Sequence, residues 1–98
     1  MFFVYILLSE IDNRFYVGLT EDVAKRLDAH NSGKVLSTKR RKPLRLIYYE
    51  AYIDKRDAQG REKYLKSGSG HRFIIKQLKY YINSIQCGVE QPGSSSGS

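Results

Sequence analysis

Two consecutive β-strands at the N-terminus place the strongest constraint on the fold. Residues 2–9 form an almost unbroken apolar run rich in aromatic and β-branched side chains, which predicts a strand buried on both faces. Residues 14–20 alternate apolar and polar side chains, as a strand with one buried face does. Asp12 and Asn13 lie between the two runs and tolerate the backbone angles of a tight turn. The sequence therefore predicts an N-terminal β-hairpin.

Two tyrosines of this hairpin fall on the same predicted face. If the turn spans residues 10–13, Tyr5 lies opposite Gly18 and diagonal to Tyr16. Diagonal neighbours lie about 7–8 Å apart, so their hydroxyls can reach one small ligand. Gly18 has no side chain and would leave room above the sheet. Tyrosine is also a common strand residue, so packing and a functional site are both open interpretations at this stage.

The rest of the chain predicts three helices and one further strand. Thr20 and Asp54 are suitable N-cap residues for the first two helices. The predicted elements are a helix over 22–31, a strand over 44–53, a helix over 54–68 and a helix over 71–85. Together they give an α+β fold of order ββαβαα, in which a three-stranded sheet, the N-terminal hairpin plus a third strand, is flanked by three helices. We expect a single domain over residues 1–85 and a flexible Gly/Ser-rich tail over residues 86–98.

Charge and cysteine content narrow the class of protein. The 98 residues carry 17 Lys and Arg against 10 Asp and Glu, a net charge of +7, which is typical of a protein that binds a polyanion such as nucleic acid. The single cysteine excludes an internal disulfide and suits a reducing cytoplasm. The N-terminal apolar run falls far short of the ~20 residues that span a bilayer, so we expect no membrane association.

One carboxylate lies where the second predicted helix should be apolar. Glu62 follows Ala58 by four residues and precedes Leu65 by three, which puts it on the side that faces the domain. A carboxylate in that position is normally paired, protonated or bound to a metal. An ion pair with a nearby basic residue is the simpler interpretation of this helix alone.

The first predicted helix carries a second polar pair. Arg26 and His30 are four residues apart and share one face beside the apolar stripe of Val23 and Leu27. Arginine can grip a phosphate through two parallel hydrogen bonds, and a neutral imidazole can exchange a proton near neutral pH. Taken alone, the pair also fits the solvated edge of an amphipathic helix.

A basic segment between the first helix and the third strand contains no acidic residue. Its phosphate-binding candidates, with further basic residues before and after it, are Lys34, Lys39, Arg40, Arg41, Lys42, Arg45, Arg72 and Lys76. Nothing in this segment indicates readout of particular bases.

Taken together, these residues resemble the GIY-YIG nuclease family over roughly residues 2–82. "FVY" at residues 3–5 and "YVG" at residues 16–18 stand where the family has its two tripeptides. "AKRLDAHNSGK" resembles the helix with the family's Arg and His, and "REKYLK" resembles the segment with its metal-binding Glu. The short length is most similar to the small stand-alone bacterial branch.

The resemblance implies hydrolysis of DNA phosphodiester bonds with one divalent cation, Mg²⁺ or Mn²⁺. Glu62 would bind the metal, and Arg26 would stabilise the charge that develops on the phosphate. Tyr16, with Tyr5, would orient or deprotonate the attacking water, and His30 would assist the proton transfer. The general base is left open among these groups.

The chain departs from the family pattern in ways that bear on specificity. Phe3 replaces the first Gly of the tripeptide, and Leu19 stands where some repair-type members have a Lys. The sequence predicts no second DNA-recognition domain, so specific cutting, for example of branched or damaged DNA in repair or recombination, would require a protein partner, self-association or recognition of DNA shape. Two alternatives are a nucleic-acid-binding module of the same fold with weak catalysis and a domain whose basic surface meets an acidic protein.

Overall fold

The computed structural model describes the backbone of residues 1–90 and the side chains of residues 1–85. Its elements in chain order are β1 (Phe2–Ser9), β2 (Phe15–Thr20), α1 (Val23–Asn31), β3 (Leu44–Tyr52), α2 (Lys55–Leu65), α3 (Gly68–Gln77) and α4 (Lys79–Glu90). A 3-10 turn over Leu36–Thr38 interrupts the basic segment. The predicted α+β class, the three-stranded sheet and the order ββαβαα are confirmed, except that the last predicted helix is divided in two.

The predicted third helix is two helices in the structure. The chain leaves helical geometry at Leu78, where φ is −108° and ψ is 26°, and resumes at Lys79. No Gly or Pro marks this junction, and apolar residues continue across it, so the sequence pattern indicates one helix. α4 continues to Glu90, five residues beyond the predicted domain boundary, and residues 91–98 of the predicted tail lie outside the described residues.

The first helix also begins differently from the prediction. Thr20 ends β2, and the N-cap of α1 is Asp22, whose side chain accepts a hydrogen bond from the Lys25 amide at 3.0 Å. Thr20 Oγ1 instead accepts a bond from the Asp22 amide at 3.1 Å, so it fixes the turn between strand and helix. The predicted N-cap of α2 is confirmed, because Asp54 accepts from the Arg56 amide at 2.8 Å.

The three strands form an antiparallel sheet of order β2-β1-β3. Asn13 turns the hairpin with a φ of 56°, a left-handed conformation that Asn tolerates. Tyr5 pairs with Gly18 and Leu7 with Tyr16, so the predicted register is confirmed and the two tyrosines share a face. β1 is the central strand, which explains why nearly all of it is buried.

The two faces of the sheet carry different helices. On one face, Val4 and Ile6 pack with Ala58 and Leu65 of α2 and with Ile74 of α3. On the other face, the buried cluster of Tyr5, Leu7 and Leu44 packs against Leu27 of α1 and against Tyr16. This division places the Arg26–His30 helix over the tyrosine face and the Glu62 helix over the opposite face.

A charged cluster fixes α2 against β3. Arg61 donates two hydrogen bonds to Glu50, at 2.9 and 3.0 Å, and its guanidinium lies 4.4 Å from the centre of the Phe73 ring. Burial alone would raise the pKa of Glu50, but the bonds from Arg61, Tyr48 and Tyr52 hold it below its usual range. Burial and the bond to Glu50 raise the pKa of Tyr52 to about 12. The cluster therefore holds α2, and with it Glu62, in a fixed orientation on the sheet.

Candidate active site

The centre of the site is a buried contact between β1 and α1. The Tyr5 hydroxyl lies 2.9 Å from Nε2 of His30 and accepts a hydrogen bond from Nε of Arg26 at 3.3 Å. Tyr5 and His30 are 3% and 4% exposed, whereas Arg26 is exposed to solvent. Three of the predicted site residues therefore meet, and Arg26 is the one that a substrate can reach.

The His30 ring is held from its second nitrogen as well. Nδ1 lies 2.6 Å from Oγ1 of Thr38, a residue that is 1% exposed in the 3-10 turn. Since Tyr5 accepts from Arg26, the arrangement that uses each donor once has the Tyr5 hydroxyl donating to Nε2 of His30 and the Nδ1–H of His30 donating to Oγ1 of Thr38. Burial, and secondly the Arg26 charge, lower the pKa of His30, so the imidazole is neutral near pH 7.

Gly18 is required by the position of Tyr5. A Cβ atom at residue 18 would overlap the hydroxyl and the ring of Tyr5. The room expected above Gly18 is thus occupied by the Tyr5 phenol rather than left open for a substrate. Gly18 lets Tyr5 lean across β2 toward Arg26 and His30.

Tyr16 has a different partner from Tyr5. Its hydroxyl donates to Oδ2 of Asp12 in the hairpin turn at 2.9 Å, and the same Oδ2 lies 3.1 Å from Nε of Arg41. The two tyrosines share a face as predicted, but their hydroxyls bind separate groups. Tyr16 is half-buried, and through Asp12 its hydroxyl is connected to the exposed Arg41.

Glu62 lies on the domain side of α2, as its spacing predicted. Its side chain is 24% exposed, and Oε2 pairs with the Lys66 ammonium at 3.1 Å. This ion pair matches the simpler interpretation of the helix, with Lys66 as the partner rather than Arg61 or Lys63. Arg61 binds Glu50 instead.

A cleft along β2 joins the two sides of the sheet. Because β2 is an edge strand, side chains from opposite faces can meet beside it. The cleft has a volume of about 340 Å³ and is lined by Tyr16, Ser37, Lys66 and His71, with apolar residues beneath them. It therefore links Tyr16 to Lys66, the partner of Glu62. The contacts of the structure join Tyr5, Arg26 and His30 to one another, and they do not join Glu62 to that group.

The predicted phosphate-binding residues are all on the surface. Within the described residues, Arg41 and Arg45 are the two that pair with acids, Asp12 and Glu10 respectively. A second cavity of about 250 Å³ is lined by Leu36, Ser37, Lys39, Arg40 and Arg41. The exposed residues of the predicted set are Lys34, Lys39, Arg40, Arg41, Lys42, Arg45, Arg72 and Lys76.

Three residues of the candidate site were not predicted from the sequence. Thr38 and Asp12 contact His30 and Tyr16 through side-chain hydrogen bonds that no periodicity indicates. Lys66 follows Glu62 by four residues, and that spacing was the available signal for their ion pair.

No helix among the described residues is long and apolar enough to cross a membrane. Among the described residues, no three His, Cys, Asp or Glu side chains lie close enough together to hold a metal ion.

Comparison with known proteins places these residues in a family. Residues 1–73 match the profile of the GIY-YIG catalytic domain. A UPF0213 protein of Lacticaseibacillus paracasei is 42% identical over 72 residues, which are 72% of this chain and 80% of that protein. The UPF0213 protein YazA of Bacillus subtilis is 42% identical over 81 residues, 82% of this chain and 76% of the relative.

A solved structure agrees with the fold. The solution NMR structure of the UPF0213 protein BH0048 from Bacillus halodurans is 33% identical, with a TM-score of 0.50, and the match covers 79% of this chain and 85% of that one. The match of residues 1–73 spans β1 to α3, including Tyr5, Tyr16, Arg26, His30 and Glu62. The chain belongs to the GIY-YIG family, and its relatives are the small bacterial UPF0213 proteins.

Proposed function

We propose that this protein is a divalent-metal-dependent endonuclease that hydrolyses DNA phosphodiester bonds. The observation that supports it most strongly is the buried Tyr5–His30 pair, which holds the exposed Arg26 at the surface. Burying two polar rings to fix one surface arginine fits a binding site for a phosphate better than it fits a solvated helix edge.

The roles of the residues follow from their exposure. Arg26 contacts the scissile phosphate and stabilises the negative charge that develops on its oxygens. Tyr5 and His30 are too buried to touch DNA, so they orient Arg26. Tyr16 is accessible from the cleft and orients the attacking water.

Glu62 fits a metal site of the kind that depends on few protein ligands. Mg²⁺ commonly keeps several waters and binds through one or two carboxylates, so a single partly exposed Glu is sufficient. The Glu62 carboxylate already faces one cation, the Lys66 ammonium at 3.1 Å. When bound, Mg²⁺ or Mn²⁺ would supply charge neutralisation at the phosphate and the leaving oxygen.

The surface charge supports DNA as the substrate. Eight exposed basic residues and a net charge of +7 favour the phosphate backbone without readout of bases. We propose branched or damaged DNA in the cytoplasm as the substrate, in repair or recombination, with a protein partner or self-association supplying specificity.

One contact favours a second candidate, a DNA-binding module with weak catalysis. The Glu62 carboxylate is already paired with the Lys66 ammonium at 3.1 Å. If this ion pair persists on DNA, Glu62 would not bind a metal ion, and binding would occur without turnover.

A cleavage assay on plasmid and branched DNA, with and without Mg²⁺ or Mn²⁺, tests the proposal. The wild-type protein should cut only with metal, and Glu62→Ala and Arg26→Ala should each lose about 10²–10³ in rate. If DNA binds tightly but is not cut under any metal condition, the binding module is the correct alternative.

A further inference from the structure

A tyrosine acting alone is a poor proton acceptor near neutral pH. A free phenol has a pKa of about 10, so about one molecule in a thousand is ionised at pH 7. A general base has to be ionised to accept a proton, and it is most effective when its pKa lies near the working pH. If Tyr16 removes a proton from the attacking water, the structure should offer that proton a further destination.

The hairpin turn contains a group that can receive this proton, the Asp12 carboxylate. The Tyr16 hydroxyl donates its proton to Oδ2 of Asp12 at 2.9 Å, which leaves the lone pairs of the phenol oxygen free to accept another. Asp12 is 22% exposed and is ionised in this geometry, with Arg41 3.1 Å from the same oxygen. Starting from the cleft, the groups in contact are therefore Tyr16, then Asp12, then Arg41.

We propose that Asp12 is the acceptor of the proton removed from the attacking water, with Tyr16 as the relay between them. This inference rests on the proposed nuclease function. As the water oxygen bonds to phosphorus, its proton passes to the Tyr16 oxygen and the Tyr16 proton passes to Oδ2 of Asp12. The bond from phosphorus to the leaving oxygen breaks, and that oxygen keeps the bonding electron pair and takes a proton from solvent water. Tyr16 stays neutral throughout, and Asp12 then returns its proton to solvent. Asp12 is a positioning residue, because it acts through Tyr16 and does not touch the substrate.

The turn holds Asp12 in place independently of Tyr16. Its Oδ1 accepts from the Arg14 amide at 3.0 Å, and Ser9 Oγ accepts from the Asp12 amide at 3.4 Å. One carboxylate oxygen therefore fixes the turn and the other faces Tyr16 and Arg41. In the part of the chain that the structure describes, the charged and titratable groups that contact Asp12 are Tyr16 from β2 and Arg41 from the basic segment.

Arg41 connects this relay to DNA binding. Burial alone would raise the pKa of Asp12, but bonds from the Arg14 amide, Tyr16 and Ser9 and the Arg41 charge hold it below its usual range. Arg41 is 45% exposed and lines the basic cavity beside Lys39 and Arg40. Arg41 therefore lowers the proton affinity of Asp12 and borders the predicted phosphate-binding residues.

The test compares the pH dependence of single-turnover cutting in the wild type and in Asp12→Asn, at saturating DNA and Mg²⁺. Asparagine retains the side-chain oxygen that accepts in the turn but cannot take a proton. The wild-type rate should be flat from about pH 6 to 9. Asp12→Asn should be slower by about 10²–10³ at pH 7 and should rise about tenfold per pH unit, as expected when the phenol itself must ionise.

A double-mutant comparison separates a relay from two independent effects. In the Tyr16→Phe background, Asp12→Asn should have no further effect, because the relay is already broken. Multiplicative losses, or an Asp12→Asn profile that matches the wild type, would overturn the inference while leaving the nuclease function intact. Absence of metal-dependent cutting by the wild type would overturn both.

Two measurements guard against a folding defect. The melting temperature of Asp12→Asn and its DNA affinity in EDTA should stay near the wild-type values.

Arg41→Ala keeps Asp12 in place and should move the acidic limb of the rate profile to higher pH, since the carboxylate loses a neighbouring positive charge. An acidic limb that does not move in Arg41→Ala would also count against the relay.

Discussion

At the scale of single residues, the two hairpin tyrosines have separate tasks. Strand alternation and turn length placed Tyr5 opposite Gly18 and on the same face as Tyr16. The hydroxyls then diverge, Tyr5 to His30 and Arg26, Tyr16 to Asp12. Sequence pattern determines which face a strand residue occupies, whereas the partner of its hydroxyl depends on how turns and helices outside the strand fold back on it.

Protonation of His30 should destabilise the fold. Its pKa is lowered in the folded state by burial and by Arg26, so the folded protein favours the neutral ring. The stability that this provides is present above the unfolded pKa of about 6.5 and is lost as pH falls below it. We expect the melting temperature to drop between pH 7.5 and pH 5, and to drop less in His30→Gln.

His71→Gln is the matched control, because that residue is an exposed histidine on α3. It should retain the wild-type pH dependence over the same interval. The carboxylates with lowered pKa values, Asp12, Glu50 and Asp54, lose their contributions at more acidic pH, below about 4.5, so they do not obscure the test. Equal pH dependence in wild type and His30→Gln would show that His30 is not buried in its neutral form.

At the scale of elements, the contact between α2 and α3 depends on one glycine. A Cβ at Gly70 would overlap the carbonyl oxygen of Tyr64 and the Cα of Leu65, both backbone atoms that cannot move aside. Gly60, in the interior of α2, has no atom within 4 Å of an added Cβ. The two positions are therefore glycines for different reasons, one because of packing and one with no steric requirement.

Alanine at these positions should have opposite effects on stability. Gly70→Ala should lower the free energy of unfolding by about 1–3 kcal/mol, because it forces α3 away from α2. Gly60→Ala should raise it by about 0.5–1 kcal/mol through helix propensity. Urea unfolding measures both, and a Gly70→Ala variant as stable as the wild type would show that the two helices pack differently.

The elements differ in how far the sequence could predict them. The hairpin, α1 and β3 follow from alternation, apolar runs and turn residues, all of which are local signals. The break at Leu78 has no Gly or Pro to mark it, so the continuous apolar pattern predicts one helix where the structure has two. The sequence predicts the N-cap of α1 at Thr20, two residues before the observed Asp22, because both are suitable capping residues.

Only part of the candidate site could be predicted from the sequence. Spacing along the predicted helices singles out Arg26, His30 and Glu62, and the resemblance to the family assigns them to one site. Thr38 and Asp12 could not be predicted, because no sequence periodicity relates Thr38 to His30 or Asp12 to Tyr16. Only folding brings such pairs together.

At the scale of the whole molecule, the basic segment should dominate DNA binding. Lys39 and Arg40 are exposed, line the basic cavity and form no ion pair within the described residues. Each phosphate contact contributes about 0.9 to the slope of log affinity against log salt. Lys39→Ala/Arg40→Ala should reduce that slope by up to about 2.

A control with the same change of net charge separates local contacts from overall charge. Lys55→Ala/Lys63→Ala removes two exposed lysines of α2. It should alter the slope little. Equal reductions in the two double variants would mean that net charge, and not this segment, determines the affinity.

The central claim is that Glu62 supports metal-dependent cutting, and single-turnover cleavage of branched DNA tests it most directly. Glu62→Gln is compared with its exposed neighbour Lys63→Gln at saturating DNA and Mg²⁺. Metal charge stabilisation is worth several kcal/mol, so Glu62→Gln should lose about 10²–10³ in rate while retaining its DNA affinity in EDTA. Lys63→Gln should cut near the wild-type rate. Cutting by Glu62→Gln at the wild-type rate would contradict the account.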